Sequence, residues 1–238
     1  MRRAMKIGTV WLFVLVMMGF GYGAFGYWDA VRQSNEFIKR ANALIVDGRG
    51  PNDLGTERLR QLILVQDPGY YDHHGVDLST LGAGLTTVSQ SVSKRLGFDE
   101  FRPGIGKIRQ TGFALGLESQ LSKEQILALF LDTVEMGRGA DGWMTGFFHA
   151  SERVYGRPPA DLSDKEFHRL VAVMIAPGSF RLLNQDGSLD DRAARIARLV
   201  AGDCMPSDQR DVWLDGCALN VEPQQVVPFQ SYSADRRL

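Results

Sequence analysis

The chain has 238 residues, 44% of them hydrophobic and 23% charged, with a formal net charge of −1 and an isoelectric point near 6.4. That length supports one domain, or one domain with an anchor, and its apolar content is enough for a sizeable core, which excludes wholesale disorder. The near-zero charge excludes a nucleic-acid binder working through a general basic field, and 26 glycines without a three-residue period exclude collagen.

Residues 7–28 carry no charged side chain. About twenty helical residues cross a hydrocarbon core of ~30 Å, so this run is long enough to span a membrane. Arg2, Arg3 and Lys6 precede it and Asp29 is the first charge after it. This bias predicts a cytoplasmic stub and an exported domain. Trp11, Tyr22, Tyr27 and Trp28 fall towards the ends, where interfacial aromatics collect. The alternative is a cleaved signal peptide, with small residues around 23–26 as its site. The run exceeds a usual signal core and offers no clean A-x-A site, so the expectation is an uncleaved anchor. It places a single-pass protein in the inner (cytoplasmic) membrane, with its main domain on the periplasmic or outer face.

Beyond the anchor, helical spacing dominates. Phe37, Ile38, Ala41, Leu44 and Ile45 share one side of a juxtamembrane helix over 27–46, which Gly48, Gly50 and Pro51 terminate. A second helix is predicted from Leu54 into Val65, and a third from near Leu78 towards Leu96, followed by a loop containing Gly97, Pro103, Gly104 and Gly106. Ser122 with Gln125, and Ser163 with Glu166, read as capping boxes. In each, the Ser oxygen accepts from the backbone three residues on and the longer side chain reaches back. A last helix is expected over 190–200. No dinucleotide turn, P-loop or regular β-α alternation occurs, and the fold class is mainly α.

Cys204 and Cys217 are the only cysteines, thirteen positions apart. In an oxidising compartment they would close a loop worth about 3 kcal/mol, with two free thiols as the alternative that spacing leaves open. None of the four histidines has the spacing of a metal motif, so no metal ligand is assigned.

The stretch Gln66-Asp-Pro-Gly-Tyr-Tyr-Asp-His-His-Gly-Val-Asp77 resembles the first motif of glycosyltransferase family 51, the peptidoglycan glycosyltransferases and monofunctional transglycosylases, which reads Glu-Asp-x-x-Phe-x-x-His-x-Gly. Asp67, Tyr70, His73 and Gly75 fall in matching places. Further matches follow in the family's order. Gly84, Thr87, Gln90 and Lys94 fit Gly-Gly-Ser-Thr-x-Thr-Gln-Gln-x-x-Lys, and Lys107-Ile-Arg-Gln110 resembles the Lys-x-x-Glu end of the third motif. Lys123 to Asp132, with Gly137 trailing, resembles Lys-x-x-Ile-Leu-Glu-x-Tyr-Leu-Asn. Segments at 146–151 and 155–163 look like the closing helices, and Arg195 with Leu199 and Val200 resembles the last Arg-x-x-x-Val-Leu signature.

This resemblance covers roughly residues 54–203. It divides the chain into a cytoplasmic stub and transmembrane signal-anchor (1–28), a juxtamembrane helix and linker (29–53), a peptidoglycan glycosyltransferase-like domain (54–203) and a C-terminal tail (204–238). It implies a lysozyme-like α-helical domain with a groove for lipid II or another undecaprenyl-linked glycan, and envelope-synthesis proteins as partners. In the family one glutamate takes a proton from the acceptor sugar while the donor loses its lipid pyrophosphate, and a second assists at the pyrophosphate or a metal ion. Carried over, those positions are Gln66 and Gln110.

An amide is not a base near neutral pH, and losing a positioned base typically costs about 10²- to 10⁴-fold in rate. Ala128, Asp132, Gly106 and Ser91 also depart from the pattern, and the interval from Asp77 to Gly84 is shorter than the family's. The remaining substrate-binding set implied by the resemblance is Asp67, Tyr70, His73, Thr87, Gln90, Lys94, Lys107, Arg109 and Arg195. Lys94, Lys107 and Arg109 are expected to face a pyrophosphate, with Arg195 supporting the groove from behind. Each has a plainer reading. The cations would be solvated surface charges, Thr87 and Gln90 helix caps, and His73 a hydrogen-bonding group of a turn. Asp67, Asp72, Glu118 and Glu135 are the carboxylates available to replace a missing base. No cofactor is assigned, and a divalent cation beside the pyrophosphate stays open. The sequence therefore predicts a membrane-anchored, glycosyltransferase-like protein with impaired or lost polymerase chemistry. An active enzyme with a non-standard acid and a non-catalytic scaffold of an envelope machine are the rivals.

Overall fold

The computed structural model describes residues 2–219, with side chains from residue 9 onward; the expectations for 220–238 lie outside the described residues. The anchor and the juxtamembrane helix are one element, α1 (Arg2–Val46). At 1.5 Å per residue it is about 68 Å long. No glycine–proline break separates its two parts, because the first such cluster comes only at Gly48, Gly50 and Pro51. The early part of α1 leaves Trp11, Leu12, Phe13, Met18 and Phe20 more than half exposed, whereas the later part buries Ala30, Phe37, Ala41 and Leu44. Among the described residues α1 is the helix long and apolar enough to cross a membrane.

The domain continues with α2 (Thr56–Gln66), α3 (Val88–Leu96), α4 (Gly106–Gln120) and α5 (Lys123–Thr133). A hairpin of β1 (Glu135–Gly139) and β2 (Gly142–Thr145) leads to α6 (Phe147–Tyr155), α7 (Asp164–Val173) and α8 (Gly187–Ala201). The class is mainly α, as expected. In α5, Ile126 through Leu131 are all buried, since α1, α3 and α6 pack around it. Both capping boxes form as read, Ser122 with Gln125 on α5 and Ser163 with Glu166 on α7.

Helix α4 crosses α1 at backbone distance. A Cβ added at Gly112 would lie 1.9 Å from the carbonyl oxygen of Gly23, and one at Gly116 would lie 2.6 Å from that of Tyr27. These glycines lower helix propensity, which hides α4 from a reading by apolar spacing. They are the residues that let the two helices meet.

The helix expected from Leu78 begins only at Val88. Asp77 Oδ1 accepts from the backbone N–H groups of Ser79 (2.9 Å) and Thr80 (3.0 Å), folding the chain into a turn. Gly82 and Gly84 then adopt positive φ of 74° and 69°, which a helix does not permit. This segment is held from outside: Gly82 N–H donates to Asp208 O at 3.0 Å and Gly84 N–H to Gln209 O at 2.8 Å. The partner strip lies in the loop closed by Cys204 and Cys217, which are bonded to each other. Asp211 organises that loop, accepting from the backbone of Ser207 (2.9 Å), Asp215 (2.6 Å) and Gly216 (2.9 Å).

Candidate functional site

The family-like residues converge where the end of α2, the start of α3 and the first turns of α4 meet. Asp67, the C-cap of α2, is fully buried. Its carboxylate accepts from His73 Nε2 at 3.0 and 3.1 Å and from the Val88 N–H, in the first turn of α3, at 2.8 Å. The Gly75 N–H donates to His73 Nδ1 at 3.0 Å, which fixes the ring proton on Nε2. Asp67 therefore joins two helix ends through charge-assisted bonds. The plainer, hydrogen-bonding reading of His73 fits this geometry.

Tyr70 is fully buried and donates its hydroxyl to Lys123 O at 2.6 Å. Burial, then the nearby Glu118, pushes its pKa well up, so it stays a phenol. Lys123 Nζ sits 4.5 Å from the Tyr70 ring centre and donates to His73 O (2.7 Å) and Glu118 Oε1 (2.8 Å). Ser89 also donates to Glu118, whose side chain is 4% exposed. Glu118 is thereby occupied in a buried ion pair rather than free as a base. Asp72 and Glu135 are exposed.

Thr87 is the N-cap of α3, with Gln90 completing its box, and its hydroxyl also donates to Gly75 O at 2.8 Å. Both serve the helix start. Gln110 is fully buried, and its Nε2 donates to Gln90 O at 2.7 Å, while among the described residues its Oε1 has no partner. Gln66 closes α2, half-buried, and among the described residues its side chain makes no hydrogen bond.

Lys94 and Lys107 are brought close enough to repel: burial first, then Lys94, lowers the pKa of Lys107. Lys107 Nζ donates to Thr86 Oγ1 at 2.9 Å and Lys94 Nζ lies 5.7 Å from the Phe101 ring centre, so neither has a carboxylate partner among the described residues. Beside Lys107 an open, mostly apolar groove of about 810 Å³ runs between α1 and α4, with Leu15, Phe20, Ile108 and Leu115 in its walls. Arg109 turns to the anchor instead, pairing with Asp29 at 2.7 Å between the rings of Phe25 and Phe98. Arg195 also lies apart, held on α8 by Asp191 (2.9 Å) and Asp215 (2.5 Å).

Asp67, His73 and Asp77 present donor atoms within 4.8 Å of one another, the grouping among the described residues with the make-up of a cation site. Asp67 and His73 spend those atoms on each other and on α3. Asp77 has an ordinary structural role. Burial by itself would raise its pKa, but the bonds from Thr80 and Ser79 outweigh burial and hold it at about 2.

Residues 51–201 match the family model described as transglycosylase. The chain belongs to the transglycosylase family. Its fold is accordingly the mainly α, lysozyme-like one. Similar proteins include the biosynthetic peptidoglycan transglycosylases of Shigella boydii serotype 4 (strain Sb227), 27% identical, and Escherichia coli O81 (strain ED1a), 28% identical, each over 150 residues that cover 58% of this chain and 60% of the relative. That of Escherichia coli (strain K12 / DH10B) is 27% identical over the same share. The chain thus spans about 60% of the length of the curated relatives it matches. Within this transglycosylase domain, sequence reasoning missed three contributors: Thr86, Asp77 as organiser of the 78–84 turn, and the Ser89–Glu118–Lys123 chain of bonds. Lys123 was legible as the first residue of the fourth motif. Thr86 and Ser89 carry no signal beyond their place in the second.

Proposed function

We propose that this chain is a membrane-anchored transglycosylase-family protein that binds a lipid-linked glycan, lipid II or another undecaprenyl-linked sugar, with its polymerase chemistry impaired or lost. The observation that carries this reading is Gln110. In the position of a family glutamate it uses its amide N–H to bond a buried backbone carbonyl at 2.7 Å. A carboxylate there would set two acceptors together, so the surroundings match an amide and not the carboxylate that assists in the family. Gln66, which supplies no base either, supports the same conclusion.

Binding has its own support. Lys94 and Lys107, without a carboxylate partner among the described residues, offer cations to a pyrophosphate, and the apolar groove beside Lys107 suits a polyprenyl chain arriving along α1. The charge pattern about α1 favours the inner membrane, with the domain on the periplasmic or outer face. The retained lysine pair also favours a second reading, an active glycosyltransferase with a different acid.

A lipid II polymerisation assay on the detergent-purified protein separates the two. It is run beside the Gln66→Glu, Gln110→Glu double variant and a direct lipid II binding titration. The proposal expects binding by both proteins and no polymer from the native chain. Polymer from the native chain overturns it in favour of the second reading.

A further inference from the structure

Away from the family-like cluster, α8 carries a charge on its buried face. Leu189, Ile196 and Leu199 form the apolar stripe expected of a helix packed on α7 and α2, and Arg192 lies in the same stripe. Arg192 is 4% exposed. Among the described residues no group accepts a hydrogen bond from its guanidinium and no carboxylate lies within ion-pair distance, with Nε and Nη1 fully enclosed. A buried, unpaired cation is among the costliest features a fold can retain, commonly several kcal/mol. Burial, joined by repulsion from Arg195, lowers its pKa to about 10, which still leaves it charged near neutrality. Its nearest carboxylates are spent elsewhere, Asp211 on backbone N–H groups and Asp215 on Arg195.

Arg192 lines a cavity of about 410 Å³ between α8 and the disulfide-closed loop, and Nη2 is the guanidinium nitrogen that is not enclosed. Phe180 and Trp213 form an aromatic wall, their ring centres 6.2 Å apart and edge to face. Asp191 and Asp215 stand at the rim and share the single positive charge of Arg195. The volume is far larger than a bare ion needs, and the wall calls for an organic body. The rim carboxylates penalise a dianion more than a monoanion, and Nη2 can donate a charge-assisted bond to a carboxylate oxygen.

We infer that this cavity is a binding site for a carboxylate carried on a small organic body, such as the free C-terminus of a short peptide, with Arg192 as its counter-ion and Trp213 and Phe180 against its apolar part. The site is separate from the glycan reading and stands or falls without it.

The test is calorimetric titration of the full chain in detergent with alanyl-alanine, with its C-terminal amide and with inorganic phosphate, alongside Trp fluorescence. The free dipeptide is expected to bind and to change the emission of the native chain but not of Trp213→Phe. The amide should bind roughly ten- to a hundredfold more weakly, the ratio that a charge-assisted hydrogen bond supplies. Arg192→Met, which replaces an unpaired buried charge by an apolar side chain of similar length, should keep or raise the melting temperature and lose binding. Equal affinity for acid and amide, tighter binding of phosphate, or no heat with any of the three overturns the inference, whatever the variant does.

Discussion

At position 110 an amide and a carboxylate differ by one N–H group, and the Gln90 carbonyl 2.7 Å away makes that difference decisive. In Gln110→Glu the ionised side chain would face that carbonyl without a donor, in a site with no exposure to water. Its folded pKa must therefore lie above the ordinary Glu value of about 4.3. A group whose folded pKa is raised adds stability below its unfolded pKa and loses it as pH rises through the folded one. The variant should thus melt close to the native protein near pH ~4, below the unfolded pKa, where Glu–COOH can donate as the amide does. It should fall behind by about 1–3 kcal/mol near pH ~8. Melting curves across that range check it, and a pH-independent difference would count against an amide-specific site. The same scale shows what sequence could convey. Glutamine at 66 and 110, where the family resemblance leads one to expect glutamate, was visible in the sequence, but the bond to Gln90 was not, because it depends on how α3 and α4 pack. Arg192 was legible in principle as a charge in the apolar stripe of α8.

Among the elements, α5 and α7 were readable from their capping boxes, a local signal that tertiary contacts reinforce. Two others were not. The 78–87 stretch has helical composition, yet Asp77 and two positive-φ glycines unwind it, and the strip it bonds to lies some 125 residues further along the chain. The β1–β2 hairpin is short and rich in glycine, which weakens strand patterning. Helix α4 was concealed by the glycines that let it approach α1. Gly112→Ala places a carbon 1.9 Å from the Gly23 carbonyl oxygen, so one helix must move. The expected loss is on the order of 1–3 kcal/mol, read as a fall of several degrees in the detergent melting temperature. Gly21→Ala, with nothing within 4 Å of the new carbon, should show no loss. Matching falls in both variants would mean that helix crossing is not what position 112 serves.

For the molecule as a whole, the segment after α8 acts as a brace. The pairing of Cys204 with Cys217, left open by spacing alone, closes a loop that grips Gly82 and Gly84 more than a hundred residues earlier. Replacing both cysteines by serine should cost about 3 kcal/mol of global stability. It should also speed hydrogen exchange at the Gly82 and Gly84 amides more than at α5, since their acceptors belong to that loop. Denaturant titration and exchange mass spectrometry measure the two effects. Unchanged exchange at those glycines would show that the loop keeps its shape without the covalent bond.

Because α1 passes without a break from its lipid-compatible half into the core, the molecule has no swivel. Phe37, Ala41 and Leu44 fix the upper half of the rod inside the domain, and Gly23 and Gly26 fix the lower half to α4. Height above the bilayer and compass bearing are then set together, by about 1.5 Å and 100° for each residue of the rod. A domain mounted this way does not stoop towards its ligand. On the proposed reading, a lipid-linked ligand of Lys107 would come sideways along the membrane, on the bearing where the groove between α1 and α4 stands open.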